Sequence, residues 1–335
     1  MKKLSIADIA AQLNVSKTVV SFILNNRAEE KRISEELVLR VQKYIKEVGY
    51  KPNPLAKSLR TGKTNIIALM VENIADPFFA SVARLIENSA YKNGYKIIYC
   101  STDNNTEKTK ELLTMFRERS VDGYIIAPPE GIQEEIQSLI DEATPVVFFD
   151  RHLPNIQTDV VEIDNQDSTF NATNYLINEG YKSIAFVTFS SKLTQMKSRL
   201  DGYKQAINAA GLKTYIKQII FDQNEDKMVT QIVDFLKKNK NLEAILFGAL
   251  QAGTNGLKAL QQLGFNIPND MAVISFDDCD VFRLYSPSIT AISQPINQIA
   301  ESAINLLLKR LNSSAQKQQK IIIKTSAVYR QSVEK

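Results

Sequence analysis

Residues 5–25 read SIADIAAQLNVSKTVVSFILN, and this stretch decides how the first part of the chain folds. Apolar residues recur at helical spacing from Ile6 to Leu13, which predicts a short amphipathic helix. Ser5 precedes Asp8 by three residues, a spacing that resembles a capping box with an acid in place of the usual Glu. Asn14 then favours the end of that helix.

A second and a third helix follow at short intervals. Ser16 is a suitable N-cap for a helix whose apolar face runs from Val19 to Leu24, and Asn25 ends it. Ser34 begins a third helix, capped through Glu35 and Glu36, which stops at Gly49. A helix, a turn of about four residues and a second helix form the helix-turn-helix pattern, in which the start of the second helix meets base edges in the major groove.

The charge distribution favours nucleic-acid binding over a plain three-helix domain. Residues 1–62 hold 12 Lys and Arg against 6 Asp and Glu, a net charge of +6. The remainder holds 29 against 31, a net charge of −2. The positive excess of the whole chain therefore lies in its first segment, as a phosphate-facing surface requires.

At this point the residues carry a resemblance to a known family. The first 62 residues are similar to the head and hinge of the LacI/GalR family of bacterial transcription regulators. The matching motifs are Ile9-Ala10, Val15-Ser16, Val20-Ser21, Leu24-Asn25, Gly49-Tyr50, Pro52-Asn53, Ala56 and Leu59. The chain departs from the family at two positions of the second helix, with Val19 where Thr is common and Phe22 where Arg is usual, so the operator sequence cannot be carried over.

The resemblance implies a set of DNA contacts in the head and in the hinge. In the family, a short hinge helix forms on DNA, pairs with that of the dimer partner and inserts a leucine into the minor groove; by alignment that residue is Leu59. The implied DNA-binding residues are Ser5, Ser16, Lys17, Thr18, Val19, Ser21, Phe22, Asn25, Asn53, Ala56 and Leu59.

The rest of the chain alternates strand and helix signals. Apolar runs such as 66–71, 96–100, 124–127 and 146–149 predict buried strands, with helical stretches between them. This alternation predicts doubly wound parallel sheets, and the resemblance implies a two-lobed effector domain like that of periplasmic binding proteins. We expect three parts: a helix-turn-helix head (1–50), a hinge (51–62) and an effector and dimerisation domain (63–335). Within that domain, lobe one is predicted at about 64–161 and 295–322, and lobe two at about 162–294 and 323–335.

Polar and aromatic residues follow several predicted strands, where ligands bind in such sheets. Acids, arginines, amides and aromatic rings suit a polyhydroxylated ligand, and the same positions resemble the ligand sites of the family. The predicted effector-binding residues are Asp76, Phe78, Phe79, Asp150, Arg151, Arg199, Phe221, Gln251, Asp277 and Gln294. The family commonly has Asn-Asp where this chain has Ala249-Leu250. Either Gln251 takes the place of that polar pair, or the ligand is less polar on that side.

Several function classes are disfavoured. One His, His152, and two Cys, Cys100 and Cys279, are too few for a usual zinc site, and their spacing fits no metal motif. No glycine-rich dinucleotide loop follows a strand, so we expect neither a cofactor nor an enzyme. The start lacks a signal-peptide pattern and no stretch has transmembrane length, from which we expect a cytoplasmic protein with no membrane partner.

These observations predict a DNA-binding transcription regulator, expected to be a repressor. It would bind a palindromic operator as a homodimer and respond allosterically to a small molecule between the lobes, expected to be a sugar or sugar derivative. A nucleobase, nucleoside or other metabolite acting as a corepressor is the alternative. A sugar-binding protein without a regulatory role is a further one.

Overall fold

The computed structural model describes residues 4–50, 62–222, 224–313 and 317–334. The chain divides into two compact units, Met1–Thr64 and Asn65–Lys335. In the described part of the chain, no helix is both long and apolar enough to span a membrane.

The small unit contains a three-helix core. Its helices are α1 (Ile6–Gln12), α2 (Lys17–Leu24) and α3 (Glu35–Glu47). Each helix contributes one fully buried apolar residue to the centre: Ile9, Val20 and Val41. Burying three such side chains stabilises a small domain by roughly 1.5–3 kcal/mol each.

The local signals of the head act as the sequence predicts. The Ser5 hydroxyl accepts a hydrogen bond from the Asp8 amide, and Asp8 accepts one from the Ser5 amide, so the capping box is complete. Asn14 takes a left-handed conformation with φ 52°, which turns the chain between α1 and α2. Ser34 is the N-cap residue of α3, as predicted, although its side chain makes no capping hydrogen bond. The acids of the first turn, Glu35 and Glu36, still favour the positive end of the helix.

The large unit contains two sheets of six strands. The first has the order β11-β5-β4-β3-β1-β2, and all its pairings are parallel. Its strands are β1 (Ile66–Val71), β2 (Lys96–Ser101), β3 (Gly123–Ile126), β4 (Val146–Phe149), β5 (Asp159–Ile163) and β11 (Lys320–Ile323). Its helices are α4 (Pro77–Lys92), α5 (Thr106–Glu118), α6 (Gln133–Asp141) and α12 (Ile296–Asn312). We call these elements lobe one.

The second sheet has the order β12-β10-β9-β8-β6-β7. Its strands are β6 (Ile184–Phe189), β7 (Tyr215–Ile219), β8 (Ala244–Phe247), β9 (Ala272–Phe276), β10 (Thr290–Ser293) and β12 (Ser326–Val328). Its helices are α7 (Asn165–Asn178), α8 (Thr194–Ala209), α9 (Glu225–Lys238), α10 (Leu250–Gln262) and α11 (Asp280–Leu284). We call these elements lobe two.

Both sheets are buried on their two faces, as expected for parallel strands between helices. In β1, Ile67 and Leu69 belong to one apolar cluster while Ala68 and Met70 belong to another. The alternation along the strand therefore points successive side chains to opposite cores. The doubly wound architecture predicted from the strand and helix alternation is confirmed.

Two edge strands differ from the prediction. Residues 96–100 are predicted to form a buried strand, but within the described residues β2 pairs only with β1, and most of its side chains are exposed or half-buried. An apolar sequence therefore forms a strand at the edge of the sheet and not in its interior. β12 runs antiparallel to β10 in a sheet predicted to be parallel. It follows β11 after only two residues, 324 and 325, with no crossover helix to reverse the chain.

The chain passes between the lobes three times: after β5, after β10 and after β11. Close packing of α7 against α8 within lobe two requires a glycine. A Cβ at Gly202 in α8 would lie 2.2 Å from the carbonyl oxygen of Gln166 in α7, so any side chain there would separate the two helices.

Candidate functional site

The start of α2 presents the residues that would meet a base edge. Ser16, Lys17 and Thr18 are exposed, and the Ser16 hydroxyl accepts a hydrogen bond from the Val19 amide at 3.2 Å. That bond satisfies one free N–H of the helix end and fixes the entry angle of α2. Val19 itself packs against the apolar core of the head.

Other predicted DNA contacts already have partners inside the head. The Ser5 hydroxyl belongs to the capping box of α1. The Asn25 amide donates to the Ser21 carbonyl and so closes the end of α2. Asn53, Ala56 and Leu59 lie outside the described residues.

In lobe one, the start of α4 carries a buried acid and two rings. Asp76 is the N-cap of α4 and accepts hydrogen bonds from the amides of Phe78 and Phe79. Burial, together with the negative charge of Asp277 in lobe two, raises the pKa of Asp76 to about 6. Phe79 packs edge-on against Phe149 at 6.0 Å between ring centroids, so its ring is part of the core.

Asp150 and Arg151 follow β4, and the structure gives them different environments. Asp150 takes a left-handed conformation with φ 67° and is buried. Its pKa rises to about 6 because burial outweighs the attraction of Arg151 and Arg199. Arg151 is buried and bonded on all three nitrogens, to Pro128 O, Glu72, Asn104, Ala127 O and Asp150. The arrangement makes Arg151 a support for Asp150 and the strand ends, which the sequence does not reveal.

Lobe two contributes an arginine from the middle of α8. Arg199 donates from Nε to Asn165 Oδ1 at 2.8 Å and from Nη1 to the Gly248 carbonyl at 3.0 Å. Its guanidinium lies over the Phe276 ring, 3.5 Å from the centroid. Stacking on an aromatic face with two fixed bonds orients the planar group and directs the remaining nitrogen, Nη2.

Asp277 ends β9 in the same way that Asp150 ends β4. Its φ is 68°, and the Gln294 amide donates to Asp277 Oδ1 at 2.6 Å. Asp278, the next residue, receives two hydrogen bonds from Arg330, both at 2.9 Å, which anchors this turn to the C-terminal segment. Because Gln294 binds only Oδ1 of Asp277, the other carboxylate oxygen, Oδ2, has no hydrogen-bond partner among the described residues.

Gln195 joins the two lobes at this point and is absent from the sequence-based prediction. Its Nε2 donates to Asp150 Oδ2 at 3.3 Å across the lobes, while its buried Oε1 has no partner among the described residues. The buried hydroxyl of Thr188, at the end of β6, is likewise without a partner there. Leaving a buried polar atom unpaired costs free energy, so each of these two atoms is available to hydrogen-bond a bound molecule. We call Asp76, Asp150, Gln195, Arg199 and Asp277 the cleft cluster.

Phe221 and Gln251, two of the predicted effector residues, lie at the carboxyl end of the second sheet. Within the described residues, neither forms a hydrogen bond with the cleft cluster. Phe221 follows β7, is 60% exposed and meets Phe189 edge-on at 6.1 Å. Gln251 lies in the first turn of α10, whose N-cap Ala249 provides no side-chain capping bond. The described residues contain no cluster of three or more His, Cys, Asp or Glu side chains able to hold a metal ion.

Comparison with known proteins agrees with this architecture in both units. The family profile described as bacterial regulatory proteins, lacI family, matches residues 5–53, and the periplasmic binding protein-like domain matches residues 173–333. The chain is 30% identical to the HTH-type transcriptional repressor PurR of Haemophilus influenzae (strain PittEE) over 334 residues, with 98% of each chain covered. It is also 30% identical to the HTH-type transcriptional regulator RegA of Clostridium saccharobutylicum over 331 residues, again with 98% of each covered.

Solved structures show the same fold. A lac repressor dimer bound to operator and the anti-inducer ONPF has a TM-score of 0.85 at 19% identity, with 99% of each chain covered. A LacI-type regulator from Alkaliphilus metalliredigens QYMF complexed with D-xylulofuranose has a TM-score of 0.72 at 28% identity, covering 80% of this chain and 99% of that one. The chain therefore belongs to the LacI family of bacterial transcription regulators, with a helix-turn-helix head and an effector-binding domain.

Proposed function

We propose that the cleft cluster binds a small, uncharged and polyhydroxylated molecule, and that this binding controls how tightly the head holds its operator. The observation that carries the proposal is the convergence of Asp150, Arg199 and Asp277 at the strand ends of two lobes. Adjacent hydroxyl groups of a sugar pair well with a carboxylate on one side and a guanidinium on the other.

The charge balance of the site argues against an anionic ligand. Besides burial, the negative charges of Glu72 and Asp277 raise the pKa of both Asp76 and Asp150, whereas Arg151 has all three nitrogens bonded. Arg199 is the one cation of this group with a nitrogen free of protein partners in the described residues. A phosphate ester would meet an excess of negative charge, so a free sugar is favoured over its phosphate.

A nucleobase or nucleoside is the second candidate. Phe221 is exposed and meets Phe189 only by its edge, which leaves a flat aromatic face at the carboxyl end of β7. Such a face accepts a heterocyclic ring as readily as the apolar face of a sugar. The donors and acceptors of the cleft cluster suit the polar edge of either ligand.

The regulatory cycle follows from linkage between the two lobes and the head. A ligand that bridges Asp150 and Asp277 favours one arrangement of the lobes, and that arrangement biases operator binding by the homodimer. We propose a repressor without enzymatic activity. We also propose that the chain is divided as the sequence predicts, into a head, a hinge and an effector domain, and that the predicted effector residues contact the ligand.

Calorimetric titration with a matched panel tests the ligand class. The panel contains neutral pentoses and hexoses, their phosphate esters, and free nucleobases and nucleosides. At least one neutral sugar is expected to bind, with its phosphate ester more than tenfold weaker because of the added negative charge. Tighter binding of a phosphate ester would contradict the charge argument, and binding of nucleobases alone would select the second candidate.

A further inference from the structure

The aromatic ring at the end of the recognition helix is covered by positive charge. The Arg27 guanidinium carbon lies 5.7 Å from the centroid of the Phe22 ring, and the Lys31 ammonium nitrogen lies 5.6 Å from it. Both separations fall within the range in which a cation is attracted to the face of an aromatic ring. Phe22 is half-buried, so its ring lies beneath these cations and is not fully open to solvent.

One acid ties the two cations together. Arg27 donates to Glu30 through Nε at 2.7 Å and through Nη2 at 2.6 Å, and the Lys31 ammonium is 3.2 Å from Glu30 Oε1. The hydrogen bond from Arg27, followed by that from Lys31, lowers the pKa of Glu30 to about 2, so Glu30 is ionised at neutral pH. The three charged side chains remain 39–53% exposed and stay accessible to a partner in solution.

The backbone fixes where this group is presented. The Arg27 amide donates to the Phe22 carbonyl at 2.9 Å, and Asn26 takes a left-handed conformation with φ 56°. These features close the end of α2 and set the direction in which the loop leaves. Ala28 and Ile33 pack against the head's core, so the loop between them is anchored at both ends.

We infer that Phe22 is a positioning residue, which holds Arg27 and Lys31 in place to contact the phosphate backbone beside the major groove, and that it does not read a base. The inference rests on operator binding by the head. The ring supports two phosphate-seeking cations, and Glu30 is their internal counter-ion in the absence of DNA. Affinity contributed by this group is therefore independent of base sequence.

Fluorescence anisotropy of the full-length protein, with an operator duplex and a scrambled duplex across a salt series, tests this role. Phe22→Leu keeps an apolar side chain but removes the aromatic face, and Phe22→Tyr keeps the face. The leucine variant is expected to bind both duplexes about tenfold more weakly, with a salt slope shallower by about 1. The tyrosine variant is expected to match the parent.

A second, exposed position keeps the test independent of folding. Glu30→Gln releases Arg27 and Lys31 and is expected to raise the affinity for both duplexes roughly fivefold, with a steeper salt slope. A Phe22→Leu variant that loses operator affinity while binding scrambled DNA like the parent would make Phe22 a base-reading residue and overturn the inference. Unchanged binding by Glu30→Gln would overturn it as well. A parent protein that binds neither duplex would instead contradict operator binding itself.

Discussion

Replacing Asp150 by asparagine should stabilise the protein at neutral pH, although Asp150 lies in the proposed ligand site. Asp150 is 8% exposed, and burial raises the pKa of its carboxyl from 3.8 to about 6. Keeping the group ionised at pH 7 therefore costs the folded state at most about 3 kcal/mol. Asparagine has the same shape without the charge and retains an oxygen to accept from Gln195.

The pH dependence gives the sign of the effect. Because the pKa is higher in the folded state, the folded parent binds a proton between about pH 4 and 6 while the unfolded chain does not. The stability of the parent relative to Asp150→Asn thus rises as the pH falls through 6, and the two converge only below the unfolded pKa of 3.8. Above pH 6 the variant keeps its full advantage.

Differential scanning calorimetry at pH 7.5 and 4.5 measures this difference. The variant is expected to melt several degrees higher at pH 7.5, at roughly 2–4 °C per kcal/mol, and to keep only about a third of that advantage at pH 4.5. Asp159→Asn is the matched control, because Asp159 is buried in the same lobe but receives Arg310 at 2.7 and 3.1 Å. That control should melt lower at both pH values, since it removes the carboxylate that binds the Arg310 guanidinium.

A lower melting temperature for Asp150→Asn than for the parent at pH 7.5 would refute this account of Asp150. It would mean that attraction to Arg151 and Arg199 exceeds the cost of burial. A gain in stability on replacing Asp150 would show that its carboxylate is not needed for folding, which is the result expected of a residue that serves ligand binding.

Three further substitutions have expected outcomes. Arg199→Lys keeps the charge but loses the planar group that is fixed over its ring, and calorimetric titration should show ligand affinity reduced more than tenfold while operator binding without ligand is unchanged. Gly202→Ala places a Cβ 2.2 Å from the Gln166 carbonyl oxygen and should destabilise the protein by about 1–3 kcal/mol, read from the melting temperature; an unchanged value would show that the helices can separate freely. Ser16→Ala removes the cap on the Val19 amide and should destabilise the head by about 1 kcal/mol in urea unfolding, whereas Ser16→Thr should not.

Features that depend on short-range sequence could be predicted well. The capping box of Ser5 and Asp8 and the left-handed turn at Asn14 are set by residues within one helical turn, and the structure has both. The alternation of apolar strands with amphipathic helices likewise determines the doubly wound sheets, because each element must bury one face or two. β2 was misjudged because the apolar content of a strand does not show how many neighbours it has.

The cleft cluster could be predicted only in part. Asp150 and Asp277 follow buried strands, and that position alone suggests a ligand edge in a parallel sheet. Gln195 and Thr188 carry no such signal, since their role depends on which atoms remain unpaired after the lobes meet. Arg151 shows the converse, because only the fold reveals that its nitrogens are occupied by Glu72 and its neighbours.

The most direct test of ligand-controlled operator binding is the operator affinity with and without a ligand identified by calorimetry. Fluorescence anisotropy with a palindromic fragment from the region upstream of this protein's own gene, at a stated salt concentration, gives both dissociation constants. We predict that saturating ligand changes the operator dissociation constant by at least fivefold in the parent, which corresponds to a coupling free energy of about 1 kcal/mol or more. The Arg199→Lys variant should need more than ten times the ligand concentration to show the same change. Tight ligand binding by the parent with an operator dissociation constant that stays the same would contradict the account.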